Sequence, residues 1–356
     1  MGIAWLVSLA ALIGAQPQPI VVRPVEQLAD DRLAIAHRGK ESVLASYAQG
    51  QADTSQLLAW DERLLEAFLD CCTREEDRLK GLDYFAERAT AVRDFEQRRV
   101  ESRGGQPTAE FLEASYAVSD ALLRSATLRR NAAEREKHAR ERSAIAAKGY
   151  AEALQDVKSN QASVDRAALW SKRWLHCAWT STDAPAEQQR AVREHVARLD
   201  ELAEAIKQRP AATGRPPVVD DGMELAYRRA EIQPYLETTQ TGLEAARNRQ
   251  IEEARRSRDL ALAAARNDKL PLGPAIVWIE RWHDAALALA EDRPAREAVL
   301  EETVKILRDL EANAKERLEE GARFVSEPDI LALAYSRLGA ERELARHREA
   351  SLARSP

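Results

Sequence analysis

The chain of 356 residues contains few of the residues that interrupt helices. Glycine and proline number 14 each, aromatic residues make up 5% of the chain, and most of the rest is alanine, leucine, glutamate and arginine. Average proteins hold about 7% glycine and about 5% proline, so helix breakers are scarce here and strong helix formers dominate. The composition therefore predicts an all-α fold of long antiparallel helices with almost no β-sheet.

The sequence also has no concentrated excess of positive charge. It carries 53 basic and 59 acidic residues, which gives a net charge of −6. Arginines near position 130, such as Arg129 and Arg130, are interleaved with Glu134 and Glu136. A nucleic-acid-binding surface needs a basic stripe, so this pattern excludes nucleic acid as a partner.

Motifs for catalysis, cofactors and disulfides are absent. Of the three cysteines, Cys71 and Cys72 are adjacent and Cys177 stands alone, so no disulfide framework is predicted. There is no glycine-rich phosphate loop, G-x-S-x-G, H-E-x-x-H or C-x-x-C. The sequence therefore predicts a protein that is not an enzyme and uses no cofactor.

No apolar run is long enough to span a bilayer. The stretch from Ile3 to Ala15 is short and uncharged, and it ends in Ile13-Gly14-Ala15. A spanning helix needs about 20 apolar residues, whereas a small-residue end suits signal peptidase. We interpret residues 1–15 as a signal peptide and predict a periplasmic or secreted protein. The alternative is a short buried helix or a membrane anchor.

Five segments of the chain resemble one another at a nearly fixed spacing. Their first residues lie 54, 56, 108 and 55 positions apart, and a sixth, displaced copy begins at Tyr235. The five begin at Leu57, Phe111, Ala167, Ala275 and Ile330. Fixed-period repeats are typical of stacked units that cannot bury their apolar faces alone. We therefore expect a repeat-built, coiled-coil-like helical bundle.

The segment after Gly104 shows how one repeat begins. Thr108 follows a glycine- and proline-containing turn and is predicted to cap the helix that carries Phe111. From such a cap the helical pattern continues for about 40 residues, which would be about 60 Å of helix. Gly81 is the interior weak point of the first repeat and predicts a kink or a tight turn.

One convincing linker interrupts the repeats. Residues 209–222 contain Pro210, Gly214, Pro216 and Pro217. The predicted organisation is a signal peptide over residues 1–15, helical repeats over 16–208, the linker over 209–222 and helical repeats over 223–356.

The repeat motif resembles the TolC-like outer-membrane efflux family. In that family a glycine-containing turn, a Ser or Thr and a Leu-Leu-x-Ala helix form the periplasmic ends of helical hairpins. Residues 323–341 match best, followed by 50–69 and 104–123. The resemblance covers helical motifs only and includes no segment with the alternating pattern of membrane strands. It implies a helical build and an envelope location.

Three functions remain open on the sequence. The leading one is a non-enzymatic exported module that binds a protein partner in the cell envelope. Association with the outer membrane and assembly into a homo-oligomer stay open. The second is an efflux channel component. The third is a metal-dependent bundle enzyme centred on Glu280 and His283, whose E-x-x-H spacing occurs in di-iron carboxylate proteins.

Three tryptophans occupy the same register of the repeat: Trp60, Trp170 and Trp278. Trp174 and Trp282 follow two of them by four residues. Such a series either fills one repeated layer of the core or forms an aromatic interface that docks a partner. Repetition favours the core, and the docking interface is the functional alternative.

Overall fold

The prediction of an all-α fold is confirmed. The computed structural model describes residues 23–102, 104–105, 107–209 and 221–352, and these ranges form 12 α-helices and no strand. In chain order the helices are α1 (Val25–Ala48), α2 (Thr54–Cys71), α3 (Glu75–Ser102), α4 (Ala109–Leu128), α5 (Ala132–Lys158), α6 (Val164–Thr180), α7 (Pro185–Lys207), α8 (Asp221–Ile232), α9 (Gln240–Arg266), α10 (Leu272–Leu289), α11 (Arg293–Glu319) and α12 (Glu327–Leu352). None of them is long and apolar enough to cross a membrane.

Each repeat is a helical hairpin, and the turn that the sequence suggested at Gly81 lies before that residue. In the first repeat α2 ends at Cys71, Cys72 is extended, and α3 begins at Glu75. Three acids in the first turn of α3 favour a new helix start there, because they interact with the positive end of its dipole. Gly81 lies inside α3 and marks no turn. The predicted cap is confirmed at Thr108, whose hydroxyl accepts from the Phe111 amide.

The displaced repeat begins earlier than the sequence indicated. Its first helix is α8, and Tyr235 lies in the 3-10 turn Gln233–Tyr235 that follows it. Residues 210–220 of the predicted linker and the predicted signal peptide lie outside the described residues. The two flanks of the linker are nevertheless joined, because Asp221 accepts from the Val164 amide (3.0 Å) and pairs with Arg209 (2.5 Å).

The array closes on itself because α1 and α12 pack together. Successive helices are neighbours along the chain, and α12 lies along α1. Leu28 of α1 packs against Leu338 of α12. On the other side of α12, Tyr335 donates to the backbone carbonyl of Arg63 in α2 (2.9 Å). The sixth hairpin therefore combines the first and the last described helix, and the fold is a closed ring of six hairpins.

The even-numbered helices form the inner layer of this ring. Polar side chains join each of five pairs of successive inner helices. These contacts are Arg173–Glu113, Lys172–Glu231, Arg281–Glu224, Ser336–Glu280 and Tyr335–Glu66. The remaining pair, α2 and α4, is joined by an apolar cluster that includes Leu58 and Val118. The inner layer is thus continuous around the ring.

The three tryptophans of the common register lie in the core. Trp60, Trp170 and Trp278 are 3%, 0% and 2% exposed. An aromatic docking interface requires accessible rings, so this alternative is wrong for these side chains. Each ring instead meets a tyrosine of the preceding inner helix edge to face, at centroid distances of 5.2–6.5 Å. The pairs are Trp60–Tyr335, Trp170–Tyr116 and Trp278–Tyr227.

These aromatic pairs occur in every second hairpin, so the ring has three equivalent parts. We name them by the helices that surround each tryptophan: triplet 1 (α1–α3), triplet 2 (α5–α7) and triplet 3 (α9–α11). In triplets 1 and 2 the indole lies against a glycine of the preceding outer helix. A Cβ added to Gly39 would collide with the Trp60 ring, and one added to Gly149 would collide with the Trp170 ring.

We predict that Gly149→Ala destabilises the protein, although alanine normally favours a helix interior over glycine. The new methyl group would collide with the Trp170 ring, and we expect a loss of about 1–3 kcal/mol in the free energy of unfolding. Gly273→Ala is the matched control, since no atom lies within 4 Å of its new Cβ. Denaturant melts in which Gly149→Ala equals the parent would contradict the contact.

Candidate functional site

A polar cavity of about 790 Å³ lies between α2, α10 and α12 on the inner side of the ring. Helices α1 and α11 also contribute Arg32, Thr303 and Leu307 to its wall, and its carboxyl groups include those two and six residues after two of the core tryptophans. In α2 these are Glu62 and Glu66, and in α10 they are Glu280 and Asp284. This spacing places both residues on the helix face opposite the one that buries the indole, because i and i+4 share a face.

Glu62 and Asp284 line the cavity and have raised pKa values. Both are solvent-exposed, yet surrounding protein desolvates each carboxyl group and raises its pKa. The next largest influence on Glu62 is Glu66, which raises its pKa further. Asp284 of α10 is influenced by Lys172 of α6, two hairpins away. Charges from non-neighbouring inner helices thus act on one another across the cavity.

Glu280 is the third carboxyl group of this kind. Desolvation raises its pKa, and the Ser336 hydroxyl donates to it at 2.8 Å. His283 also lines the cavity, and both of its ring nitrogens are engaged there, Nδ1 2.9 Å from Thr303 Oγ1 and Nε2 3.3 Å from Glu343 Oε2. The E-x-x-H spacing therefore does not bring Glu280 and His283 to one point. Within the described ranges, no group of three or more His, Cys, Asp or Glu side chains is arranged to hold a metal ion.

Sequence reasoning identified Glu280 but missed Glu62 and Asp284. The signal that could have found them is the charged residue at the second position after each core tryptophan: Glu62, Lys172 and Glu280. Lys172 is already satisfied, because it pairs with Glu231 at 2.8 Å. The sequence does not show that the ring closes. Without that closure, nothing indicates that Glu62, Glu280 and Asp284 lie near one another.

A buried Ser–His pair lies between α6 and α7. Ser171 Oγ is 2.8 Å from His195 Nδ1 and accepts from Arg198 Nε at 2.9 Å. Because Arg198 already donates to that oxygen, the hydroxyl hydrogen points to Nδ1 and His195 is neutral. Ser171 is fully buried. A nucleophile must reach its substrate, so this pair is a structural contact.

Comparison with known proteins adds little. No protein-family model matches the chain, and no curated protein matches it. The chain is similar to a solved structure described as "Computational Design of Self-Assembling Cyclic Protein Homooligomers", with 14% identity over 93% of this chain and 99% of that one. The TM-score is 0.16, which is too low to support a statement on fold or assembly.

We predict that His195 makes the protein less stable in mild acid. Burial, followed by the charge of Arg198, lowers its pKa from 6.5 to about 4. Between these values the unfolded chain binds a proton that the native protein excludes, so stability falls as the pH drops from about 6.5 to about 4. Over this range the contribution of His195 is about 3 kcal/mol.

The measurement is the free energy of unfolding at several pH values for the parent and for His195→Asn, whose amide oxygen can still accept from Ser171. The variant should lose the corresponding part of the pH dependence. His37→Asn, at an exposed histidine, is the control and should behave like the parent. Identical pH profiles for parent and His195→Asn would refute the assignment.

Proposed function

We propose that this chain is a non-enzymatic, exported binding module whose ring holds a small organic polyamine in its central cavity. The observation that carries the proposal is the set of three carboxyl groups, Glu62, Glu280 and Asp284, which face the cavity and have raised pKa values. Perturbed carboxyl groups gathered in one cleft are typical of functional sites.

Charge balance in the cavity supports an amine ligand. Other acids there have cationic partners: Asp70 pairs with Arg32 (2.6 Å) and Arg342 (2.5 Å). In the described part of the chain, no basic side chain lies within salt-bridge distance of Glu62, Glu280 or Asp284. Arg63 also lines the cavity and lowers the pKa of Glu280, but desolvation outweighs it, and an ammonium group beside these carboxyl groups would replace their lost hydration.

The proposal also covers where the protein is located and what it acts beside. The apolar segment ahead of Ala15 supports export, and the helical motifs that resemble the TolC-like family support work in the cell envelope beside a protein partner. A ring that exposes its outer helices on all sides has the surface for such a partner. The cavity would then act as the ligand-sensing part of the module.

We predict that Glu280→Gln raises stability and weakens ligand binding at the same time. Since the pKa of Glu280 is raised, its ionised form destabilises the native protein at neutral pH. Glutamine removes this cost and can still accept from Ser336, so the melting temperature at pH 7 should rise. The gain should vanish below about pH 4, where the glutamate is protonated in both states.

Calorimetric titration with spermidine measures the second half of this prediction. The parent should bind one spermidine per ring, less tightly at high salt, and the double variant Glu62→Gln, Glu280→Gln should bind at least tenfold more weakly. Glu252→Gln, on the exposed side of the outer helix α9, is the matched control. Equal affinity in parent and double variant, or no saturable binding by the parent, would refute the polyamine assignment.

Cell fractionation tests the location. Expressed with residues 1–15 in a Gram-negative host, the protein should occur as a soluble periplasmic pool released by osmotic shock. Deletion of residues 2–15 should retain it in the cytoplasm. Recovery that requires detergent extraction from the outer membrane would favour the efflux channel instead.

A further inference from the structure

One position distinguishes the first helix triplet from the other two. Four residues after the core tryptophan, triplets 2 and 3 have Trp174 and Trp282, whereas triplet 1 has Leu64. Both tryptophans lie under an arginine of an outer helix. Arg198 lies 4.2 Å above the Trp174 ring, and Arg258 lies 4.1 Å above the Trp282 ring.

In triplet 1 the smaller Leu64 is accompanied by a cavity of about 420 Å³. It lies between α1, α2 and α3, and its walls are largely apolar and aromatic, with Leu33, Phe68 and Phe85 beside Leu64. An engineered apolar cavity of about 150 Å³ already takes up benzene, so this space admits a larger ring system. It also falls in the size range of small-molecule sites.

The cations that cover the indoles elsewhere have counterparts beside this cavity. Arg88 of α3 and Arg198 are as far apart in sequence as Trp60 and Trp170, so the two arginines occupy equivalent positions of the repeat. In triplet 3 the position of Gly39 is taken by Ser257. Lys40 comes directly after Gly39, and Arg258 comes directly after Ser257, so Lys40 is the counterpart of Arg258. The first triplet thus keeps the positive charges and lacks the tryptophan, and Lys40 instead lies 5.3 Å from the centre of the Tyr84 ring at the cavity wall.

The cavity also has an excess of positive charge. Both Lys40 and Arg88 pair with the single buried carboxylate of Asp61, at 3.3 and 2.9 Å. One negative charge is therefore shared by two positive ones. Lys80, whose side chain is 74% exposed and pairs with Asp77 (3.0 Å) outside the lining, is a further cation at the cavity wall. A ligand with an anionic group satisfies this balance.

We propose that the cavity between α1, α2 and α3 binds a flat bicyclic aromatic carboxylate. Its ring system takes the place that the indoles of Trp174 and Trp282 occupy in the other triplets, and its carboxylate lies toward Lys80 and Arg88. This site is separate from the central cavity and does not depend on the polyamine proposal. Its closest simple mimic is indole-3-acetate.

The first test is Leu64→Trp, which restores the residue of the other two triplets. If the cavity has the shape of an indole, the variant should melt at the parent's temperature or above it. The parent should bind indole-3-acetate with a stoichiometry of one in calorimetric titration. Leu64→Trp should bind it at least tenfold more weakly, because its own ring fills the site.

The second test leaves the core unchanged. Lys80→Met should weaken the binding of indole-3-acetate severalfold without changing the melting temperature. Lys207→Met is the matched control, because Lys207 is also an exposed lysine that pairs with an acid three residues before it. It should bind like the parent.

Four results would overturn the proposal. These are no saturable binding of indole-3-acetate by the parent, unchanged binding by a folded Leu64→Trp, unchanged binding by Lys80→Met, and binding of decanoate as tightly as indole-3-acetate. The last would show that the cavity takes an aliphatic chain and does not select a flat ring.

Discussion

The contact on which this ring depends is that of an indole ring with the backbone of the preceding outer helix. Trp60 and Trp170 lie where a side chain on Gly39 or Gly149 would be, and buried Ser257 takes the corresponding position in triplet 3. The absence of a larger side chain lets inner and outer helices approach closely. The tyrosine of the preceding inner helix then packs edge to face against the indole ring. One contact therefore joins three helices, and its aromatic pair recurs in each of the three triplets.

Much of the architecture could be predicted from the sequence because it depends on local chemistry. Helix formers, the cap at Thr108 and the nearly fixed repeat spacing follow from neighbours along the chain. The break at Cys72 was missed because no glycine or proline marks it. The start of α8 was missed because its first turn carries Met223 and Glu224 where other repeats have a stronger apolar signal. Tertiary packing decides both places.

The central cavity could not be predicted for a different reason. Glu62, Lys172 and Asp284 belong to three hairpins, and nothing along the chain says that they come within electrostatic reach. Their convergence requires closure of the ring, which in turn requires α1 to complete a hairpin with α12. Helix α1 precedes the first repeat and packs against both α2 and α12, and the second of these contacts closes the array.

The two cavities arise in different ways from the repeated sequence. The central one forms where equivalent polar positions of α2 and α10 meet beside α12. Desolvation is the largest cause of the raised pKa values of Glu62 and Glu280, and neighbouring carboxyl groups raise them further. The cavity at Leu64 comes from a departure from symmetry. The smaller Leu64 takes the indole position of triplet 1, so this triplet keeps the cations but packs less densely beside the cavity. A bound aromatic anion would restore that packing, which is why the departure indicates a ligand and not merely a weaker core.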